Sequence, residues 1–185
     1  MIGNDIVCLA KAATESNWRR KGYLERIFTP SEQQLILQHE DPSLMLWLIW
    51  TMKESAYKII NRETGIRSFA PMCLVCSIQE VNTCNASGLI NYQGKDIISR
   101  STISSCYVHS IAARTELHLN AIKLNYAESH AGYQNQFNNS QFSYHLTKNL
   151  VGVPQLQHQL TGNFHPVSIS HHGTLLAIAY SDSPL

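Results

Sequence analysis

The sequence predicts an α+β fold, with helices gathered in its first third and strands in the remainder. Two observations carry that reading. Helix starts are written at Thr29-Pro30-Ser31-Glu32 and at Asp41-Pro42, where a capping side chain precedes a proline suited to the first helical turn. From Phe69 onward the apolar pattern shortens to brief runs near period two, separated by Gly, Asn and Ser. Helices and strands segregated along a chain give helices packed on a mainly antiparallel sheet, rather than alternating βαβ units. The 185 residues match one domain, residues 1–185, long enough to hide roughly 70% of the surface its unfolded form exposes.

Taken in order, Ile2 to Leu9 reads as a short strand interrupted by Gly3-Asn4-Asp5. Ala13 to Phe28 reads as a helical stretch broken at Gly22, carrying the basic cluster Arg19, Arg20, Lys21 and Arg26. Thr29 opens a helix that ends near His39, and Asp41 opens the longest one, over about 43–61. In the first half of that helix Leu44, Trp47, Leu48 and Trp50 leave few polar positions, which predicts burial on most sides. Lys53, Glu54 and Lys58 therefore enter a helix that should be dry. Strands are expected over 73–80, 89–92, 97–101, 106–112 and 117–126. The Asn/Gln/Ser-rich stretch 127–143 predicts a loop and 143–150 a short helix. Segments 166–170 and 174–180 predict a closing hairpin around His171-His172-Gly173.

Composition removes several classes of function. Apolar residues at 44% exclude a disordered chain. Lys and Arg number 14 against 13 Asp and Glu, a net charge of +1, and charged residues are only 15% of the chain. That surface does not suit nonspecific nucleic-acid binding, which needs a basic face to displace counterions. No apolar stretch approaches the roughly 18 residues of a membrane span, so no membrane contact is expected. Five cysteines, and a start at Met1-Ile2-Gly3-Asn4-Asp5 without the apolar run of a signal peptide, predict a reducing, cytoplasmic setting. Cys73 and Cys76 form C-x-x-C inside an apolar run that reads as a strand. Their odd spacing points the thiols to opposite faces, against a zinc knuckle or redox turn.

Two places carry chemistry. Glu54 and Lys58 are four apart, so on a helix they share a face, about 6 Å apart along the axis. A solvated pair is the ordinary outcome of that spacing. Trp47 and Trp50, on the turns before Glu54, shift the balance: a charge beside large buried aromatics needs a ligand or metal to offset desolvation. Asp5 is either a turn-forming residue or one carboxylate of a hard-cation site, with Gly3 permitting close backbone packing. With Glu54 it makes the one or two carboxylates that Mg²⁺ takes beside phosphate oxygens and water. Ser170 and His171 sit at the hairpin, as surface residues or as phosphate contacts. No G-x-S-x-G surrounds any serine, which argues against a nucleophilic hydrolase.

Together these pieces resemble the 4′-phosphopantetheinyl transferase superfamily, and most closely its short holo-acyl-carrier-protein synthase branch. The family's G-x-D motif is similar to Ile2-Gly3-Asn4-Asp5-Ile6-Val7, and its W/F-x-x-K-E-[AS]-x-x-K motif to Trp50-Thr51-Met52-Lys53-Glu54-Ser55-Ala56-Tyr57-Lys58. The R-x-[FL]-[ST]-x-x-E element resembles Arg26 to Glu32, and the G-I…F-x-P turn resembles Gly65 to Pro71. The tail G-K-P…S-I-S-H resembles Gly152-Val153-Pro154 and Ser168-Ile169-Ser170-His171. The second motif is specific, whereas the first alone is weak. The five motifs cover about 1–79 and 150–181; residues 80–150 have no counterpart in the short branch and read as an inserted β-rich segment.

The resemblance implies transfer of the phosphopantetheine arm of coenzyme A to a serine of an acyl or peptidyl carrier protein, as in fatty acid or polyketide biosynthesis. Coenzyme A is the substrate, Mg²⁺ the cofactor, and 3′,5′-ADP the released product. Asp5 and Glu54 match the magnesium ligands. Glu54 and Lys58 match the catalytic pair, with Glu54 helping to deprotonate the carrier serine and Lys58 neutralising phosphate charge. Lys58, Ser170, His171, Gly152 and Pro154 fall at coenzyme A-binding positions, and Arg19, Arg20 and Arg26 suit an acidic carrier helix. Cys8 and Val7 stand where family members place further acidic residues, so water is expected to complete the metal shell. Val153 replaces the basic residue of G-K-P. One set of motifs in the chain predicts a homo-oligomer, a trimer by analogy with the short branch. The alternative to a transferase is a non-catalytic module that holds a carrier protein or coenzyme A.

Overall fold

The computed structural model describes residues 1–182 and has the α+β architecture the sequence predicts. Strand β1 (Ile2–Cys8) runs into helix α1 (Leu9–Glu15), followed by α2 (Tyr23–Ile27), α3 (Pro30–Gln38) and α4 (Pro42–Thr64). A 3₁₀ turn at Pro71–Cys73 leads to β2 (Val75–Val81), β3 (Asn85–Tyr92), β4 (Lys95–Ile103) and β5 (Tyr107–Ala113). These strands and β1 form one antiparallel sheet of order β1-β5-β4-β3-β2, with Asp5 opposite Ser110. The second half holds α5 (Glu116–Asn120), β6 (Lys123–Glu128), α6 (Tyr133–Ser140), β7 (Tyr144–Lys148), β8 (Pro154–His158), β9 (Phe164–His165), β10 (Val167–His172) and β11 (Leu175–Tyr180). They pair as two three-stranded sheets, β10-β11-β6 and β7-β8-β9.

Helix α4 organises the larger sheet. Asp41 caps it by accepting from the Leu44 N–H at 2.9 Å, Pro42 sits in its first turn, and Gly65 stops it with φ 74°, a left-handed conformation that glycine adopts without strain. Its buried face (Met45, Leu48, Ile49, Met52, Ala56, Ile59) packs into one apolar core with Ile90, Ile97 and Val108 of the sheet. Strand β1 is covered on both sides, by α4 on one and by β10 and β11 on the other, and it is buried along nearly its whole length. An interior strand of this kind loses the alternation that marks a half-exposed one.

Lys53, the lysine of the K-E pair, is a structural cation. It is fully buried, 2.8 Å from the Glu32 carboxylate, and donates to the carbonyls of Pro71 and Leu74 at 2.8 and 2.7 Å. Glu32 in turn accepts from the N–H groups of Thr29 and Cys76, both at 2.7 Å. One ion pair thus ties α3, α4, the 3₁₀ turn and β2 together. The predicted capping box at Thr29 and Glu32 is present, and the same carboxylate serves both purposes.

Several expectations are corrected. The helical stretch expected over 13–28 begins earlier, as α1 at Leu9–Glu15, and resumes as α2 only at Tyr23; the expected break at Gly22, with φ 79°, is present but the interruption extends over 16–22. The strand expected over 117–126 is split into α5 and β6; the Thr115 cap, accepting from His118 N–H, starts a turn of helix that the alternating residues concealed. Helix α6 lies inside the stretch expected to be a loop, burying Phe137. Residues 143–150 contain strand β7 rather than a helix, since Tyr144 and Leu146 alternate inward against β8. Cys73 lies in the 3₁₀ turn, before the strand begins; it is exposed while Cys76 is buried, so the two thiols are still separated.

Replacing Lys53 by Met should lower unfolding free energy by about 3–5 kcal/mol in urea denaturation, because it strands a buried carboxylate. Adding Glu32→Gln to that variant should restore part of the loss. An unchanged midpoint in the single variant would mean the pair contributes nothing.

Candidate active site

Gly3 sets the site. A Cβ built on it would overlap the Ser55 carbonyl oxygen of α4 and come within 3.3 Å of the Ile59 side chain. Only a residue without a Cβ lets strand and helix approach this closely. Because side chains alternate along a strand, Asp5 shares the Gly3 face and is carried to the same helix one turn further on, at Lys58. The Lys58 ammonium lies 3.1 Å from an Asp5 carboxylate oxygen and donates to the Asn4 carbonyl at 2.7 Å and the Ile169 carbonyl of β10 at 3.5 Å. Its side chain keeps 25% of its surface exposed, and that of Asp5 keeps 15%.

Glu54 lines the same cleft as Asp5, a hollow of about 330 Å³ walled by Tyr23, Trp47, Trp50 and His171. No hydrogen bond or ion pair holds its carboxylate among the described residues. Burial, with repulsion from Asp5 in second place, pushes its pKa up to about 7, against a weaker pull downward from Lys58. Asp5 is raised as well, chiefly by burial, while Lys58 pulls it down. Two desolvated carboxylates thus share a cleft, and only one of them, Asp5, is paired with an ammonium, that of Lys58.

That arrangement fits a divalent cation. Among the described residues no group of three or more His, Cys, Asp or Glu could hold a metal by itself. Two carboxylates are nevertheless what Mg²⁺ takes when phosphate oxygens and water fill the rest of its shell, and a cation would relieve the repulsion that raises Glu54. Cys8, at the position of a third family acid, gives its N–H to His172 Nδ1 at 3.0 Å, and His172 Nε2 lies 3.4 Å from Glu15.

The other expected residues divide into those at the cleft and those away from it. His171 is exposed on the cleft wall. Ser170 is 3% exposed and its hydroxyl accepts from Asn4 Nδ2 at 2.8 Å, an internal bond between β1 and β10. Gly152, with φ 80°, and Pro154 line a second groove that begins at Lys58, across from the C-terminal turns of α4. Arg19 stacks on Trp18 and Arg20 on Tyr23, at 4.2 and 5.4 Å from the ring centres, and Arg26 is exposed. Arg19 borders a hollow that shares Ser16 and Trp47 with the Glu54 cleft, so this basic surface adjoins the site.

Asn4, the variable residue of G-x-D, was missed by sequence reading. It faces away from α4, is fully buried, and bonds Ser168, Ser170, Ala177 and His109. His109 also contacts the Tyr126 hydroxyl at 2.8 Å, and burial holds its pKa down to about 3, so it stays neutral. This node locks the C-terminal sheet to β1 and so holds the Ile169 carbonyl at Lys58. The inward face of an alternating strand was its only signal.

The fold and the site together define an α+β protein with two carboxylates and a lysine converging where a glycine-bearing strand crosses a long helix. A family model of the 4′-phosphopantetheinyl transferase superfamily matches residues 1–119. The chain belongs to that superfamily. The match takes in β1, α4 and the whole five-stranded sheet, including β3 to β5 from the stretch that the motifs left uncovered. No curated protein matches the chain.

With pKa values raised in the fold, Glu54 and Asp5 contribute stability that is full below the ordinary carboxylate range and lost as pH rises. For Glu54 the loss spans from its ordinary 4.5 to about 7. Metal-free protein should therefore melt at lower temperature at pH 8 than at pH 5.5, and Glu54→Gln should flatten the difference. An equally steep profile in the variant would show that Glu54 does not titrate in this window.

Proposed function

We propose that this protein is a holo-acyl-carrier-protein synthase-type enzyme, which moves the 4′-phosphopantetheine arm of coenzyme A onto a serine of an acyl or peptidyl carrier protein. The observation that carries the reading is a cleft lined by both Asp5 and Glu54, with Lys58 paired to Asp5 from the adjoining groove, in a member of a family of phosphopantetheinyl transferases. Asp5 and Glu54 would hold Mg²⁺, which supplies charge neutralisation for the pyrophosphate.

The carrier serine Oγ attacks the phosphorus bearing the pantetheine arm, and the bond from that phosphorus to the 3′,5′-ADP oxygen breaks. Phosphoryl transfer of this kind asks the protein for positioning and charge compensation more than for covalent chemistry. Glu54 takes the serine proton directly or through a water it orients. Lys58, fixed by two main-chain carbonyls, places positive charge where the leaving phosphate gains negative charge. Gly152, Pro154 and His171 border coenzyme A. Ser170 acts through Asn4, as a brace behind His171. Arg19, Arg20 and Arg26 meet the acidic face of the carrier, which suits long-range steering on a chain with a net charge of only +1. The enzyme works in the cytoplasm, as one domain spanning 1–185, and as a homo-oligomer.

Intact mass of apo carrier proteins after incubation with this protein, coenzyme A and Mg²⁺ tests the reading. The expected result is a mass gain of one phosphopantetheine arm that chelator abolishes. Coenzyme A binding with no gain on any carrier would favour the non-catalytic module. Glu54→Gln should cut transfer about 100-fold or more with the fold retained, and Lys58→Ala should lower kcat more than it raises KM. Full activity of Glu54→Gln would reject its role.

A further inference from the structure

The end of β10 carries a histidine that lies outside the S-I-S-H motif. His172 directly follows that run, and its ring bridges two elements from the start of the chain. Its Nδ1 accepts the Cys8 N–H at 3.0 Å, where β1 passes into α1. Its Nε2 lies 3.4 Å from a carboxylate oxygen of Glu15, the last residue of α1. A main-chain N–H can only donate, so Nδ1 carries no proton and the ring N–H at Nε2 faces Glu15. Lys11 meets the other Glu15 oxygen at 3.3 Å. The hairpin turn itself sits close on α1, since a Cβ built on Gly173 would come within 3.0 Å of the Lys11 side chain.

Both members of this clasp face the reaction site, because Glu15 and His172 line the cleft that holds Asp5 and Glu54. Glu15 is also where the chain leaves α1 for 16–22, the segment that bears Arg19 and Arg20. That segment has no helix or strand of its own, and side chains tether it at two points. Trp18, which is buried, donates its indole N–H to Ser43 Oγ in the first turn of α4 at 3.1 Å. Glu15 ties the start of the segment to His172. One tether thus runs to the helix that bears Glu54 and the other to the strand that bears His171. Neither Glu15 nor His172 lines the groove at Lys58, Gly152 and Pro154, so the clasp bears on the carrier side more than on coenzyme A.

We infer that His172 is a positioning residue for the carrier protein, which acts through Glu15 to hold the Arg19–Arg20 segment in register with the cleft. This rests on the transferase reading. The carrier serine reaches the cleft only when the carrier is docked, so a docking surface that shifts against the cleft weakens productive encounter.

Transfer kinetics with an apo carrier protein varied at saturating coenzyme A and Mg²⁺, beside calorimetric titration of coenzyme A, test the role. His172→Ala should raise KM for the carrier about two- to tenfold, the scale of one ordinary hydrogen bond, while coenzyme A binding stays unchanged. Glu15→Ala should do the same, and the double variant should lose no more than either single one, because all three remove one contact. His172→Gln, which can still donate toward Glu15, should keep more carrier affinity than His172→Asn, which retains only the acceptor for Cys8. Glu15 is exposed, so its variant keeps the test decisive where His172→Ala is unstable. An unchanged carrier KM in both Ala variants, losses that add in the double variant, or an equal weakening toward carrier and coenzyme A would overturn the positioning role while leaving the transferase reading intact. A wild type that transfers to no carrier would instead overturn the transferase reading, and this role with it.

Discussion

The contact between Gly3 and the Ser55 carbonyl governs the rest of the site. It brings a strand against a helix more closely than any residue with a Cβ allows, and the two-residue repeat of the strand then delivers Asp5 to Lys58. The same approach leaves Asn4 pointing the other way, where it fastens the C-terminal sheet. One glycine thus aligns three layers: α4, β1 and the β10–β11 hairpin. The cleft exists because those layers meet with polar groups at their edge.

The K-E-S-x-x-K run divides its work along one helix. Lys53 faces inward and is spent on the Glu32 pair, which fixes where α3 and β2 sit against α4. Glu54, the next residue, faces the cleft and stays unpaired. Lys58, one turn later, faces β1 and β10. Charged groups that are buried without full compensation cost stability, and here the uncompensated one is the carboxylate with the most exposed chemistry. The structural pair and the reactive group are adjacent in sequence because a helix turns about 100° per residue, sending neighbours to different surroundings.

Much of this was legible in the sequence. The caps at Thr29 and Asp41, the length of α4 and the closing hairpin follow from local chemistry and spacing. What failed was local ambiguity: the run from Leu117 to Tyr126 alternates like a strand, yet Thr115 caps a turn of helix there. Residues 143–150 gave no clear period, and pairing with β8 decided them. At the site, spacing alone shows neither that Asp5 meets Glu54 nor that Ser170 turns inward. Asn4, His109 and Lys53's partner depend on contacts between residues 21 to 173 positions apart, which no local pattern encodes.

The central claim is that Asp5 and Glu54 form one cation site beside Lys58. Anomalous diffraction from crystals grown with coenzyme A and Mn²⁺ as a stand-in for Mg²⁺ tests it most directly. The account predicts an anomalous peak bound by both carboxylates, with the pyrophosphate alongside Lys58. A peak held by Glu15 and His172 instead, or a pyrophosphate seated away from Lys58, would contradict it.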